Sequence, residues 1–193
     1  MKNLAIITAR GGSKRIPRKN IKDFMGKPMI AYAIDACIDS KIFDEIMVST
    51  DDNEIATIAN NLGASVPFMR SAQNSDDYAT TNDVLQEVLK CYKERGIQPE
   101  NICCVYPCVP FLNGQILRDA YDRFISSKAD GLTPVVKFSF PIQRAFRIVD
   151  GFLRYNEPKN APKRSQDLEP MYHDAGMFYF HKASCLNSDN VVP

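Results

Sequence analysis

Apolar positions in this chain fall into short continuous runs separated by stretches of helical period, and the two kinds alternate. Leu4–Ala9 reads as a buried first strand. Pro28–Ser40 reads as a helix, because proline suits a first turn and Met29, Ile30, Ala33, Ile34, Cys37 and Ile38 form one apolar face. Glu45–Thr50 is a second strand. Asp51 or Asp52 then caps a helix with Ile55, Ile58, Ala59 and Leu62 inward and Gly63 at its stop. Ser65–Met69 reads as a short third strand, and residues 70–79 are polar and without period, hence a loop.

Thr80 or Thr81 caps a long helix to about Arg95, ended by Gly96. Asn101–Tyr106 is apolar enough to be a central, buried strand. Pro107-Cys108-Val109-Pro110-Phe111 breaks it, Gly114–Ser127 is amphipathic, and Gly131–Val136 is the next strand. After Val136 the pattern changes. Residues 146–155 are two alternating runs around Asp150-Gly151, a hairpin signal; residues 156–170 have no period; and 175–180 return to strand. This succession predicts an α/β fold: one domain over residues 1–193, a three-layer α/β/α sandwich with a mostly parallel sheet, plus a β-hairpin arm inserted at about 137–170. Asn190-Val191-Val192-Pro193 ends the chain where one more strand and helix are expected, so it reads as a truncated form.

Composition narrows the class. A formal charge of +1 and an apolar fraction of 45% over 193 residues describe an ordinary globular chain. The charge makes no case for a nucleic-acid binder, since only the first 27 residues are clearly basic. Neither a membrane-length apolar run nor a signal-peptide core is visible, so no membrane partner and a cytoplasmic location are expected. The six cysteines form no C-x-x-C and have no histidine near Cys103–Cys108, which argues for reduced thiols and against zinc.

The chemistry concentrates after the first strand. Arg10-Gly11-Gly12-Ser13-Lys14-Arg15-Ile16-Pro17-Arg18-Lys19-Asn20 carries five cations and no acid around two glycines. Adjacent glycines let backbone N–H groups approach a ligand, and the cations would neutralise more than one negative charge. The loop is not a Walker or dinucleotide loop by spacing. A polyphosphate site is the sharp reading and a solvated basic loop the bland one. Its place at the carboxyl end of an apolar strand favours the first. Arg10 and Lys14 are the best candidates for the reacting phosphates, Lys19 and Asn20 follow, and Arg15 and Arg18 are expected to be solvated.

The ordered set Ala9-Arg10-Gly11-Gly12-Ser13-Lys14, Ile16–Ile21, Gly26-Lys27-Pro28, Val48-Ser49-Thr50-Asp51, Arg70 with Asp77, Pro107…Pro110 and Gly176 resembles the acylneuraminate cytidylyltransferases. Within that family, Arg164–Gly176 is most similar to the pseudaminic acid branch, with His173-Asp174 where sialic acid enzymes more usually carry Arg and Asn. The resemblance implies the nucleotide-diphospho-sugar transferase fold. It also implies activation of an acidic nine-carbon (nonulosonic) sugar with CTP, Mg²⁺ as cofactor, and a homodimer whose arm reaches a partner subunit. It implies that Arg10, Ser13, Lys14, Lys19 and Asn20 bind triphosphate or ribose and that Gly11 and Gly12 shape the loop. Arg70 and Thr81 would lie near the cytosine, and backbone groups of Thr8 and Ala9 would help to read it. For the sugar it implies Arg144, Arg164, Gln166, His173 and Asp174.

The sequence departs from the family in three places. The family's Mg²⁺-holding Asp-x-Asp has no counterpart before Pro193, and the neighbouring Asp76-Asp77 are expected to be solvated or capping, so no metal ligands are assigned. Tyr106 stands where the sialic acid enzymes carry Gln, and Cys108-Val109 where Thr-Ser is common. Alternatives to pseudaminic acid activation are N-acetylneuraminate or another acidic sugar as acceptor, or a nucleotide-binding module without catalysis.

Overall fold

The computed structural model of the chain describes residues 1–186. Asn190–Pro193, where a further strand and helix were expected to follow, lie outside the described residues. The chain divides into two compact units, one of Met1–Thr133 with the chain from Gly176, the other of Pro134–Ala175. The expected insertion of about 137–170 falls inside the second.

The first unit is built on a five-stranded sheet. In chain order its elements are β1 (Asn3–Thr8), a small hairpin of β2 (Asp23–Phe24) and β3 (Lys27–Pro28), α1 (Met29–Ser40), β4 (Glu45–Ser49), α2 (Asn53–Asn61), α3 (Thr81–Glu94), β5 (Asn101–Val105), α4 (Gly114–Ser127) and β6 (Gly131–Leu132). The sheet order is β4-β1-β5-β11-β6, where β11 is Phe178–Lys182. β4, β1 and β5 run parallel, and β11 is antiparallel to both of its neighbours.

Successive strand residues point to opposite faces, and the core follows that alternation. Ala5, Ile7, Cys103, Val105, Phe178 and Phe180 pack with α1, α2 and α4. Leu4, Ile6, Ile102, Cys104 and Tyr179 pack with Leu85, Val88 and Tyr92 of α3. A near-continuous apolar run such as Leu4–Ile7 is what a strand covered on both faces requires. The result is the three-layer α/β/α arrangement expected from the pattern.

Helix ends follow local rules. Asp52 caps α2 by accepting from the amides of Glu54 and Ile55. Thr80 caps α3 in a capping box with Asp83. Gly114, at the start of α4, lies against the end of α1: a Cβ there would stand 2.6 Å from the backbone of Asp39 and Ser40.

Three elements differ from the sequence expectation. Of Ser65–Met69, only Ser65 bridges to Met47 of β4. Pro67 has no N–H for a ladder, and the segment returns to the sheet only where the Arg70 amide meets the Thr50 carbonyl at 2.8 Å. Gly131–Val136 is two strands, not one, because Pro134 interrupts the pairing. The last strand begins at Phe178, after a bend at Gly176 with φ 64°.

In the second unit, β7 (Val135–Lys137) pairs antiparallel with β10 (Tyr172–Asp174). β8 (Phe146–Val149) and β9 (Phe152–Tyr155) form the foreseen hairpin, with Asp150 and Gly151 both at positive φ as a two-residue turn demands. Short 3₁₀ turns at Pro158–Asn160 and Ser165–Asp167 occupy the aperiodic stretch.

Candidate active site

In the first unit the chain leaves β1 towards β4 on one side and later lays β5 on the other. The loops that follow these strands therefore part at the carboxyl end of the sheet, the topological switch point where open α/β folds hold ligands. A cavity of about 740 Å³ lies there, lined by the 10–20 loop, the 70–81 segment and Tyr106–Cys108. Five cationic side chains line it (Arg10, Lys14, Arg15, Lys19 and Arg70), against one carboxylate, Asp77.

The loop after β1 is stapled to the start of α2. The Gly11 amide donates to Asp51 Oδ1 at 2.8 Å. Arg18 pairs with Asp52 and with Glu54. The Arg18 guanidinium holds the Asp52 carboxyl below the usual carboxylate range. Arg18 is thus not the solvated cation expected from sequence; its partners lie over thirty positions away and only the fold shows them.

Some amides at the start of the loop are engaged within the protein. Ala9 N–H donates to the Ser49 carbonyl at 3.0 Å, and Ser13 N–H to the Gly11 carbonyl at 3.1 Å. The Gly11 amide, on Asp51, is a third. Ala9 itself is fully buried core.

Thr8, Arg10, Gly12, Ser13, Lys14, Lys19, Asn20, Arg70 and Thr81 all line the cavity, so nine of the eleven sequence candidates for this site meet in one place. Arg70 donates through Nε to Ser49 Oγ at 3.0 Å and through Nη2 to the Ser49 carbonyl at 2.6 Å. It is 8% exposed, and among the described residues no carboxylate stands within ion-pair reach of it. Burial lowers its pKa, with Asp51 and Glu87 offsetting this from further away. A charge taken out of water without a close partner is costly, and an anionic or carbonyl-bearing ligand in the cavity would relieve that cost. Asn20 is buried, donates to the Arg10 carbonyl at 2.8 Å and accepts from the Cys108 thiol at 3.4 Å. It thereby ties the loop after β5 to the loop after β1. Burial pushes the Cys108 thiol up.

Sequence reasoning gave no role to Asn74, Pro107 or Cys108, which also line the cavity. It expected Asp76 and Asp77 to be solvated or capping. Asp76 closes a turn, its Oδ1 accepting from the amides of Tyr78 and Ala79 at 2.8 Å, while the cap of α3 is Thr80. Asp77 is instead paired with Arg10, at 3.0 Å, and with Lys14. Lys14 and Arg10 hold its carboxyl below the usual range. The signal available in sequence was position alone: loops after the first and central strands must meet at the switch point.

Arg144, Arg164, Gln166, His173 and Asp174 all lie in the second unit. Arg144 Nη1 donates to Ser165 Oγ at 3.3 Å, and its buried Nε has no partner among the described residues. Arg164 grips Asp167 at 2.8 and 3.0 Å. The His173 ring lies edge-on to Phe138, and Nδ1 is 2.8 Å from the Asp174 carbonyl. Gln166, His173 and Asp174 are exposed.

Among the described residues no three His, Cys, Asp or Glu side chains come together in a way that could hold a metal ion. The carboxylate nearest the cavity is committed to two cations. These residues do not by themselves fit a divalent-cation centre. Among the described residues, too, no helix is long and apolar enough to cross a membrane. All six cysteines are free thiols, with Cys37, Cys103 and Cys104 buried.

Residues 4–183 match the cytidylyltransferase family model. The chain is 47% identical over 181 residues to the pseudaminic acid cytidylyltransferase of Campylobacter jejuni subsp. jejuni serotype O:2, covering 93% of this chain and 78% of that protein. It is 34% identical to N-acylneuraminate cytidylyltransferase A of Danio rerio, over 94% of this chain and 42% of that protein. Among solved structures, CMP:2-keto-3-deoxy-manno-octonic acid synthetase complexed with CTP superposes with a TM-score of 0.70 at 19% identity, covering 96% of this chain and 76% of that one.

Proposed function

This chain belongs to the cytidylyltransferase family, and from that premise we propose that it activates pseudaminic acid, or a closely related acidic nine-carbon sugar, with CTP. The observation that carries the proposal is the cavity at the switch point, where five cations face one carboxylate. In the proposed reaction the anomeric oxygen of the sugar bonds to the α-phosphorus of CTP. The bond from that phosphorus to the oxygen bridging the β-phosphate breaks, the hydroxyl proton leaves, and pyrophosphate departs with the added negative charge. Positioning and charge stabilisation are the protein's share of such a displacement.

Arg10 and Lys14 take the charge that moves to pyrophosphate. Losing either should cost ~10²–10³-fold in rate, as loss of an oxyanion donor does. Ser13, Lys19 and Asn20 hold the triphosphate or ribose, and Arg70 and Thr81 the nucleoside end. Arg144, Arg164, Gln166, His173 and Asp174 would serve the sugar. Arginine pairs bidentately with carboxylates, and Arg164 already does so with Asp167, so a sugar carboxylate would exchange for an existing partner.

The hairpin supports a homodimer. Phe146, Ile148, Phe152 and Leu153 are each more than half exposed on β8 and β9, an apolar surface that a second copy would cover. A cytoplasmic location completes the proposal. The family's expectation of Mg²⁺ meets no ligand cluster among the described residues, so no step passes through a metal.

The test is pyrophosphate release with CTP and Mg²⁺ against a panel of acidic sugars. Release with pseudaminic acid well above N-acetylneuraminate is expected. The reverse order would overturn the choice of sugar, and CTP binding without release on any sugar would reduce the chain to a nucleotide-binding module.

A further inference from the structure

Asp77 sits on the two cations that the reading above gives to the departing pyrophosphate. Its two carboxylate oxygens are divided between Arg10 and Lys14, the two cations nearest the glycine turn. The contact is reinforced from the backbone, because Arg10 Nη1 also donates to the Asp76 carbonyl. Asp77 is held in position by its neighbours: Asp76 Oδ1 accepts from the amides of Tyr78 and Ala79, and Thr80 caps α3 directly after them. The 75–78 stretch thus forms a wall on the loop, enclosing Arg10, Gly12, Ser13 and Lys14 from the other side.

Two cations cannot satisfy this carboxylate and a polyphosphate with the same N–H groups. We propose that Asp77 is an internal stand-in for the polyphosphate, an autoinhibitory latch that an incoming triphosphate must displace from Arg10 and Lys14. The proposal rests on the nucleotidyltransferase reading above for the identity of the ligand, but its geometry concerns the polyphosphate alone. Closed, the latch neutralises a cationic loop that would otherwise repel itself and attract any anion. Opened, it frees both cations together and releases the 75–78 wall. The competing carboxylate lowers the apparent affinity by the fraction of molecules in which the cations are free. Both pairs are partly exposed, so the effect is moderate.

The experiment measures binding of inorganic tripolyphosphate and of CTP, by calorimetry, to the full chain and its variants. Asp77→Asn should bind tripolyphosphate about three- to tenfold more tightly than the parent, the range that exposed ion pairs allow. In a Lys14→Ala background the same substitution should gain markedly less, since one arm of the latch is already gone. Asp76→Asn removes an equal charge next door while keeping the oxygen that closes the turn, and should gain little. Unchanged or weaker binding by Asp77→Asn would overturn the latch and make Asp77 part of the binding machinery. An equal gain from Asp76→Asn would also overturn it, by reducing the effect to net charge. CTP binding no better than tripolyphosphate in every variant would count against the nucleotide reading while leaving the latch to be judged on the tripolyphosphate series.

Discussion

Gly11 lies so close to Asp52 that a Cβ on it would stand 2.7 Å from the carboxylate Oδ2. Asp52 cannot retreat cheaply, because it caps α2 through Oδ1 and is gripped by Arg18. Gly11→Ala should therefore push the loop off α2 and displace Arg10 and Lys14 from the cavity. Overpacking of this kind typically costs about 1–3 kcal/mol. The expected result is a higher KM for CTP and a lower kcat with a modest fall in Tm, read by steady-state kinetics and thermal melting. Gly12→Ala, where a Cβ would meet open space, is the matched control and should be nearly neutral in stability.

Acid should loosen the loop and the start of α3 before it unfolds the sheet. Arg18 lowers the pKa of Asp52, and the hydroxyl and amide of Thr80 lower that of Asp83. Carboxylates depressed in the folded state contribute stability that is complete above their unfolded value, about 3.9, and lost as pH falls through the lower folded values. Tm should thus be flat from neutrality to about pH 5 and fall below about pH 4. Asp83→Asn should flatten part of that fall, measured by melting across the range.

Cys108 should report occupancy of the cavity. Its thiol is partly buried and pushed up by that burial, so alkylation should be slow at neutral pH and quicken as pH rises. CTP should slow labelling of Cys108 severalfold while leaving Cys91 unchanged, as peptide mapping by mass spectrometry would show. Equal labelling with and without nucleotide would place CTP elsewhere.

Gly114→Ala tests the fold apart from the site. The new methyl would meet main chain of Asp39 and Ser40, which cannot swing aside as a side chain does. A loss of about 1–3 kcal/mol in unfolding free energy is expected. Residual activity at low temperature should be close to the parent's, because α4 carries no cavity residue.

What could be read from the sequence was what is local. Caps at Asp52 and Thr80, the Asp150-Gly151 turn and the two-faced strands each depend on residues within a few positions of one another. Failures fell where a single proline breaks a pattern that otherwise looks continuous, at Pro67 and Pro134. Arg10 and Asn20 were legible from the basic loop at the strand end, but that Arg70 and Thr81 join them was foreseen only because a family resemblance supplied it; hydrophobic period says nothing of which distant segments meet. Arg18 with Asp52 and Asp77 with Arg10 escaped altogether. Opposite charges dozens of residues apart pair by topology, and either could as well have faced water.

The chain leaves the first unit after β6 and re-enters it just before β11, and these two strands are hydrogen-bonded neighbours, with Leu132 opposite Phe180. One uninterrupted stretch of the chain therefore carries everything proposed to choose the acceptor, and its two junctions fall at adjacent points of the sheet. Recombination could exchange that stretch and leave the nucleotide machinery untouched.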